Sequence, residues 1–211
     1  MQPPSPPEAE TGGLFGRDKW GSGQVKTNKG AKAELYLRYP ASSIIIYNSA
    51  TVVHFLLGGI GIAVGYGFSS WAGYAFGLLY VVLSLVEMYI VMPLKVCPNC
   101  TYHRTKDSRC ISGLNLLSRR IAKDGHQKDF AKRADGMFCQ NNLYLASLIV
   151  PIIAMIPAIF INFSAVLLLV FWLLVGLLLF RFFVIFPRIA CIHCRAKHAC
   201  PQAAAMGLRD R

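Results

Sequence analysis

The sequence predicts an all-α membrane protein with four transmembrane helices, arranged as two antiparallel hairpins beneath a small cysteine-rich cap. Hydrophobic residues make up 55% of its 211 residues and charged residues only 15%, above and below the respective averages of soluble proteins. Four stretches with few or no charges are long enough to cross the roughly 30 Å of hydrocarbon in a bilayer. These predicted spans are Ser43 to Tyr66, Trp71 to Met92, Asn142 to Asn162 and Ala165 to Pro187.

The spans divide the chain into five segments. Residues 1–40 form an amino-terminal tail rich in proline, glycine and lysine, predicted to be flexible because it buries too little apolar surface to offset the entropy of ordering. Its last part, Glu34 to Tyr39, is predicted to lie at the membrane interface with its tyrosines at head-group depth. The remaining segments are the hairpins 41–95 and 142–188, the loop 96–141 and the carboxyl-terminal segment 189–211.

The distribution of basic residues predicts how the protein lies in the membrane. The formal net charge is +12, and of 22 Lys and Arg residues six precede the first span, ten lie between Lys95 and Arg133 and five follow Pro187. The two short turns on the opposite face have none. The positive-inside rule therefore places both termini and the central loop in the cytoplasm, with the spans in an inner or plasma membrane.

The same charges predict attraction to the anionic head groups of membrane lipids. They do not predict nucleic-acid binding, because the chain contains no basic module interleaved with aromatic residues.

A cysteine motif follows the second and fourth spans. In each case a proline is followed four residues later by Cys-x-x-Cys, first at Cys97 and Cys100 and again at Cys191 and Cys194. The other cysteines are Cys110, Cys139 and Cys200. All seven fall on the face predicted to be cytoplasmic, where a reducing environment favours metal ligands or redox-active thiols over structural disulfides.

Two Cys-x-x-Cys turns can supply the four thiolates of a tetrahedral zinc site or the ligands of an iron–sulfur cluster. In one pairing the turns share a site made of Cys97, Cys100, Cys191 and Cys194. In the other, each turn joins its own downstream residues, giving Cys97, Cys100, Cys110 and Cys139 at one site and Cys191, Cys194, Cys200 and either His193 or His198 at the second. The sequence leaves both pairings open. Structural zinc is favoured over an iron–sulfur cluster because the closely spaced cysteines of ferredoxins are absent.

Two charged residues form a second candidate site. Glu87 and Arg181 each lie six residues before the exit proline and are the only Asp, Glu, Lys or Arg residues in their spans. A lone charge in hydrocarbon is costly, so we expect the two to form an intramembrane ion pair. The alternative is that each extends separately to the head groups. His54, the only histidine in a span, is expected to be a hydrogen-bonded packing residue.

Three further patterns predict local structure. Two small-xxx-small pairs predict close helix packing, and two prolines in the third span predict a kink or a freed carbonyl group. These residues are Gly61 and Gly65, Gly73 and Gly77, and Pro151 and Pro157. Gly113 to Ala122 is predicted to be an amphipathic helix, with an apolar face of Leu114, Leu117 and Ile121, that lies on the membrane or covers a small core.

Two functional hypotheses follow. The first, which is favoured, is a non-catalytic or electron-carrying membrane subunit whose metal-bound cap docks a protein partner. An enzymatic role is the less favoured hypothesis. The second is a quinone-linked thiol–disulfide oxidoreductase, since the layout resembles in outline the four-helix membrane enzymes that pass electrons between cysteine pairs and a quinone. Those enzymes face the oxidising side, and seven cysteines is an odd number for paired shuttling. The repeat also predicts a pseudo-two-fold axis roughly along the membrane normal.

Overall fold

The computed structural model of the chain describes residues 33–67, 71–126, 129–130 and 140–208. The predicted tail before residue 33, most of the first short turn and Cys139 lie outside the described residues.

Helices account for most of the described chain, in which no strand occurs and only one isolated bridge, between Arg38 and Arg109, is formed. The α-helices are α1 (Ala41–Gly67), α2 (Ala72–Val86), α3 (Met92–Lys95), α4 (Thr101–Arg104), α5 (Leu114–Ile121), α6 (Gln140–Ile161), α7 (Ala165–Phe180) and α8 (Pro201–Ala205). Four continuous helical stretches are long and apolar enough to cross a membrane, namely Ala41–Gly67, Ala72–Asn99, Asn142–Ile161 and Ala165–Ala190. The four predicted spans are thereby confirmed by length and composition.

Helix α1 occupies the centre and packs against α2, α6 and α7. Its close approach to α2 depends on glycine, because a Cβ atom added at Gly77 would lie 2.5 Å from the carbonyl oxygen of Gly59. The predicted pair Gly61 and Gly65 faces a different helix, since a Cβ atom at either would meet Met155 or Ala158 of α6. The glycines of α1 therefore allow close packing of α2 on one face of the helix and of α6 on another.

The prolines of α6 leave backbone groups that other helices use. Pro151 has no N–H to donate to the carbonyl oxygen of Ser147, and the Tyr80 hydroxyl of α2 donates to that oxygen at 2.8 Å. The next carbonyl, that of Leu148, lies 2.9 Å from Nε2 of buried His54. The predicted freed carbonyl and the predicted packing histidine thus take part in two adjacent contacts, one between α2 and α6 and one between α1 and α6.

Replacing Tyr80 with phenylalanine should lower the free energy of unfolding by about 1–3 kcal/mol, because the Ser147 carbonyl would lose its donor inside the protein. A reversible denaturant titration of the purified protein in detergent measures this difference. Tyr74 on the same helix is exposed, so Tyr74→Phe is the matched control and should leave stability unchanged. Equal effects of the two changes would contradict this account of the contact.

Both cysteine-bearing spans change to a wider helix before they leave the membrane. The π-helical segments Glu87–Val91 and Arg181–Ala190 each begin at the charged residue of the repeat. The first ends two residues before Pro93, and the second continues through Pro187. A proline ring clashes with the carbonyl four residues earlier, and a five-residue hydrogen-bond spacing relieves that clash. The repeat in sequence therefore corresponds to a repeat in backbone geometry.

Candidate functional site

The cysteine motifs form two equivalent turns at the ends of the helices. In the first turn the Cys100 N–H donates to the carbonyl oxygen of Cys97 at 3.0 Å, and in the second the Cys194 N–H donates to that of Cys191 at 3.2 Å. We call residues 33–40, 96–126 and 191–208 the cap. It contains both turns and every described cysteine.

Helix α5 holds the loop that follows the first turn. Arg119 Nε and Nη2 lie 2.6–2.8 Å from four acceptors in residues 101–110, and the three N–H groups of these atoms are shared among them. They are the carbonyl oxygens of Tyr102, His103 and Thr105 and the hydroxyl of Ser108. Asn115 adds a donor to the Ser108 carbonyl at 2.9 Å and accepts from the Cys110 N–H at 3.1 Å. The loop is thus shaped by side chains of this one helix.

The face of α5 that packs against the loop is largely polar, because Asn115 and Ser118 are buried beside Leu114. Leu117 and Ile121, the other two residues of the predicted apolar face, are exposed. Of the two predicted roles of that face, covering a small core is met by Leu114 alone, and lying on the membrane stays a prediction.

A buried serine, a buried histidine and an exposed aspartate also lie in contact. Ser118 Oγ is 3.0 Å from His103 Nδ1, and His103 Nε2 is 3.1 Å from Asp124 Oδ1. The Ser118 side chain is 0% exposed, so no substrate can reach its hydroxyl. The arrangement connects α4, α5 and the following loop and has the geometry of a structural contact.

The two turns are joined through the residues that precede α1. The Tyr36 N–H donates to the His193 carbonyl oxygen at 3.0 Å, and the Tyr39 hydroxyl donates to that of Ala190. Tyr102, five residues after Cys97, donates to the Tyr36 carbonyl at 2.8 Å and accepts from the Arg195 N–H at 3.2 Å. This segment, Glu34 to Tyr39, packs between the two turns, with Tyr39 buried, and its predicted place at the membrane interface stays a prediction.

The six described cysteines are reduced and half-buried. They are Cys97, Cys100, Cys110, Cys191, Cys194 and Cys200. Burial, followed by the proximity of other cysteines, raises the pKa of Cys100 to about 11 and that of Cys191 to about 12, and it raises the pKa of Cys194 as well. The neighbours that affect Cys194 include Cys100 from the first turn. Cys100 of the first turn therefore lies near Cys194 of the second, and burial favours the protonated thiol at both.

Within the described ranges, no three His, Cys, Asp or Glu side chains are arranged to hold a metal ion. His193 already has other partners, because its ring stacks on Tyr36 with centroids 4.3 Å apart and its Nδ1 lies 2.8 Å from the Glu34 carbonyl oxygen. His198 is exposed. Cys139, the fourth ligand of one predicted site, lies outside the described residues.

The predicted ion pair between Glu87 and Arg181 is not formed in this structure. Arg181 is only 2% exposed and points to α1, where it donates to the Thr51 hydroxyl and, at 3.4 Å, to the Tyr47 carbonyl oxygen. Its guanidinium also lies over the Tyr144 ring, 5.5 Å from the centroid. The Oε1 atom of Glu87 is buried without a hydrogen-bond partner. Equal depth along two helices does not make two side chains face each other.

Comparisons with protein-family models, curated proteins and solved structures find no match to this chain. The functional proposal therefore rests on the chemistry and geometry of the cap.

Proposed function

We propose that this chain is a membrane-anchored subunit whose cap binds metal through cysteine thiolates, with structural zinc as the favoured ion. One observation carries the proposal. Three cysteines from each repeat lie in a single cap, and Tyr102 contacts backbone groups on both sides of it. Clustered reduced thiols are the ligands that zinc and iron–sulfur clusters take from proteins.

Metal binding requires the thiols to move closer together than they lie in the described chain. Zinc then lowers the pKa of its thiol ligands, so binding releases protons and its free energy adds to the stability of the cap. A role in stability fits a small cap with few buried apolar side chains.

The proposed arrangement in the membrane is two antiparallel hairpins related by a pseudo-two-fold axis, with the cap in the cytoplasm. Support comes from the repeated π-helical segments and the repeated turns at both helix ends. The positive charge of the cap supports contact with anionic lipids and docking of a protein partner in a membrane complex. A membrane-impermeant thiol label applied to intact cells should leave the cysteines unmodified and should modify them after the cells are opened. Labelling in intact cells would reverse the proposed orientation.

Anaerobic purification followed by elemental analysis and a visible spectrum tests the metal. Colourless protein with about one or two zinc ions per chain is the expected result. Absorbance near roughly 400 nm with iron and labile sulfide would replace zinc with an iron–sulfur cluster and support electron transfer. Metal-free protein with a reducible disulfide would contradict the proposal and favour the quinone-linked thiol oxidoreductase.

Serine substitutions distinguish the two ligand pairings. A shared site predicts that the double change Cys97→Ser and Cys100→Ser removes all the zinc, and that Cys200→Ser removes none. Separate sites predict two zinc ions, of which the double change removes one and Cys200→Ser removes the other. Zinc content that none of these changes lowers would contradict cysteine ligation. His198→Ala tests the exposed histidine as a ligand, with His193→Ala as its comparison.

A further inference from the structure

A long apolar groove lies between α2 and α6, with α1 as its floor. Its volume is about 960 Å³, and residues from Ala72 to Val91 line one side of it. At 1.5 Å per residue these positions extend over roughly 28 Å, close to the full thickness of the hydrocarbon layer. The groove arises because α2 and α6 both pack on α1 but meet each other mainly at the π-helical segment Glu87–Val91, which leaves the space between them open along the rest of their length.

Most polar side chains in the groove wall already have partners within the protein. The Tyr80 hydroxyl donates to the carbonyl oxygen of Ser147. The Ser147 hydroxyl donates to the carbonyl oxygen of Tyr144 at 2.7 Å, and the Tyr66 hydroxyl donates to the carbonyl oxygen of Ala154 at 2.7 Å. Glu87 is different, because it lines the groove and its Oε1 atom is buried without any donor. A buried acceptor without a donor costs about 1–3 kcal/mol, more if it is charged.

We propose that this groove binds a long-chain lipid with a hydroxyl head group, whose O–H donates to the Glu87 carboxyl group while its tail lies along α2 and α6. A hydroxyl group supplies the missing donor, and it is cheaper to bury at this depth than an ammonium group. An isoprenoid quinol and a long-chain alcohol share this chemistry. The proposal does not depend on metal in the cap.

Displacement of a fluorescent probe from the groove tests this proposal, with the full-length chain in phosphatidylcholine nanodiscs. A pyrene-tailed alcohol reports occupancy by energy transfer from the tryptophans. Hexadecan-1-ol, decylubiquinol and hexadecane compete at equal mole fraction in the bilayer. The alcohol or the quinol should displace the probe about tenfold more effectively than the alkane, as expected for one hydrogen bond to the buried Oε1 atom of Glu87. A preference between the first two compounds identifies the head group.

Three variants separate head-group recognition from filling of the groove. Glu87→Leu should abolish the tenfold preference over hexadecane, and Val150→Trp should abolish probe binding because Val150 lines the groove. Ile153, an exposed residue of α6 outside the groove lining, provides the control Ile153→Trp, which should bind the probe normally. Equal displacement by alcohol and alkane in the unmodified chain would overturn the proposal. So would a change of oligomeric state in Val150→Trp, because the groove would then be covered by a second copy.

Discussion

Replacing Arg119 with alanine should unfold the first half of the cap while the four spans stay folded. The change removes the donor to four acceptors at once, three of which are loop carbonyl oxygens inside the cap. Each hydrogen bond from a charged donor contributes about 1.5–3 kcal/mol, and their effects are not additive, so we expect a loss of at least about 3 kcal/mol in the local opening free energy. Hydrogen–deuterium exchange measures this loss in residues 101–110.

Two controls accompany this change. Arg120 is the next residue, has the same charge and is exposed, so Arg120→Ala should leave exchange in the loop unchanged. Arg119→Lys keeps the positive charge but lacks the planar guanidinium group with its several donors. It should therefore recover only part of the protection from hydrogen exchange. Full protection in Arg119→Ala would show that the loop is held by other contacts. Loss of protection in α1 as well would show that the cap and the spans unfold together.

Replacing Gly77 with leucine should separate α1 from α2 and lower the free energy of unfolding by about 3 kcal/mol or more. Even the first added carbon would lie 2.5 Å from the backbone oxygen of Gly59, and 3.1 Å from the side chain of Ala63. Backbone atoms cannot move aside without displacing the helix, so the cost should exceed the usual 1–3 kcal/mol of an overpacked core site. A reversible denaturant titration in detergent, followed by circular dichroism, measures it.

Gly176 is the matched control for this substitution. It lies in the fourth span, and a Cβ atom there would meet nothing within 4 Å. Gly176→Leu should therefore leave stability unchanged or raise it slightly, because leucine favours the helix more than glycine does. A similar loss in both variants would mean that glycine acts through the helix backbone and not through close packing.

The spans and the turns could be predicted because they depend on local chemistry. Long apolar stretches must satisfy their backbone groups internally, which in lipid means a helix. The spacing of Pro93, Cys97 and Cys100, repeated at Pro187, Cys191 and Cys194, gives the same hydrogen-bonded turn between the cysteines. The freed carbonyl at Pro151 was predictable on the same grounds, although its donor, Tyr80, was not.

The partners of the polar residues could not be predicted in this way. Arg181 was expected to meet Glu87, but rotation about the helix axes turns it toward Thr51 and leaves Glu87 at the groove. Likewise the apolar pattern of α5 did not indicate that Asn115 and Ser118 are buried, the first against loop carbonyl groups and the second against the His103 ring. Both outcomes depend on groups that come from distant parts of the chain.

By itself, the sequence determined the four long apolar helices, the repeated cysteine turns and the position of the two charges along their helices. Only the tertiary structure decided which way those charges face, that residues 33–40 join the two turns, and that a groove opens between α2 and α6. The physical reason is that hydrophobicity and hydrogen-bond demand act within each segment, whereas the rotation and spacing of helices follow from close packing at sites such as Gly59 and Gly77.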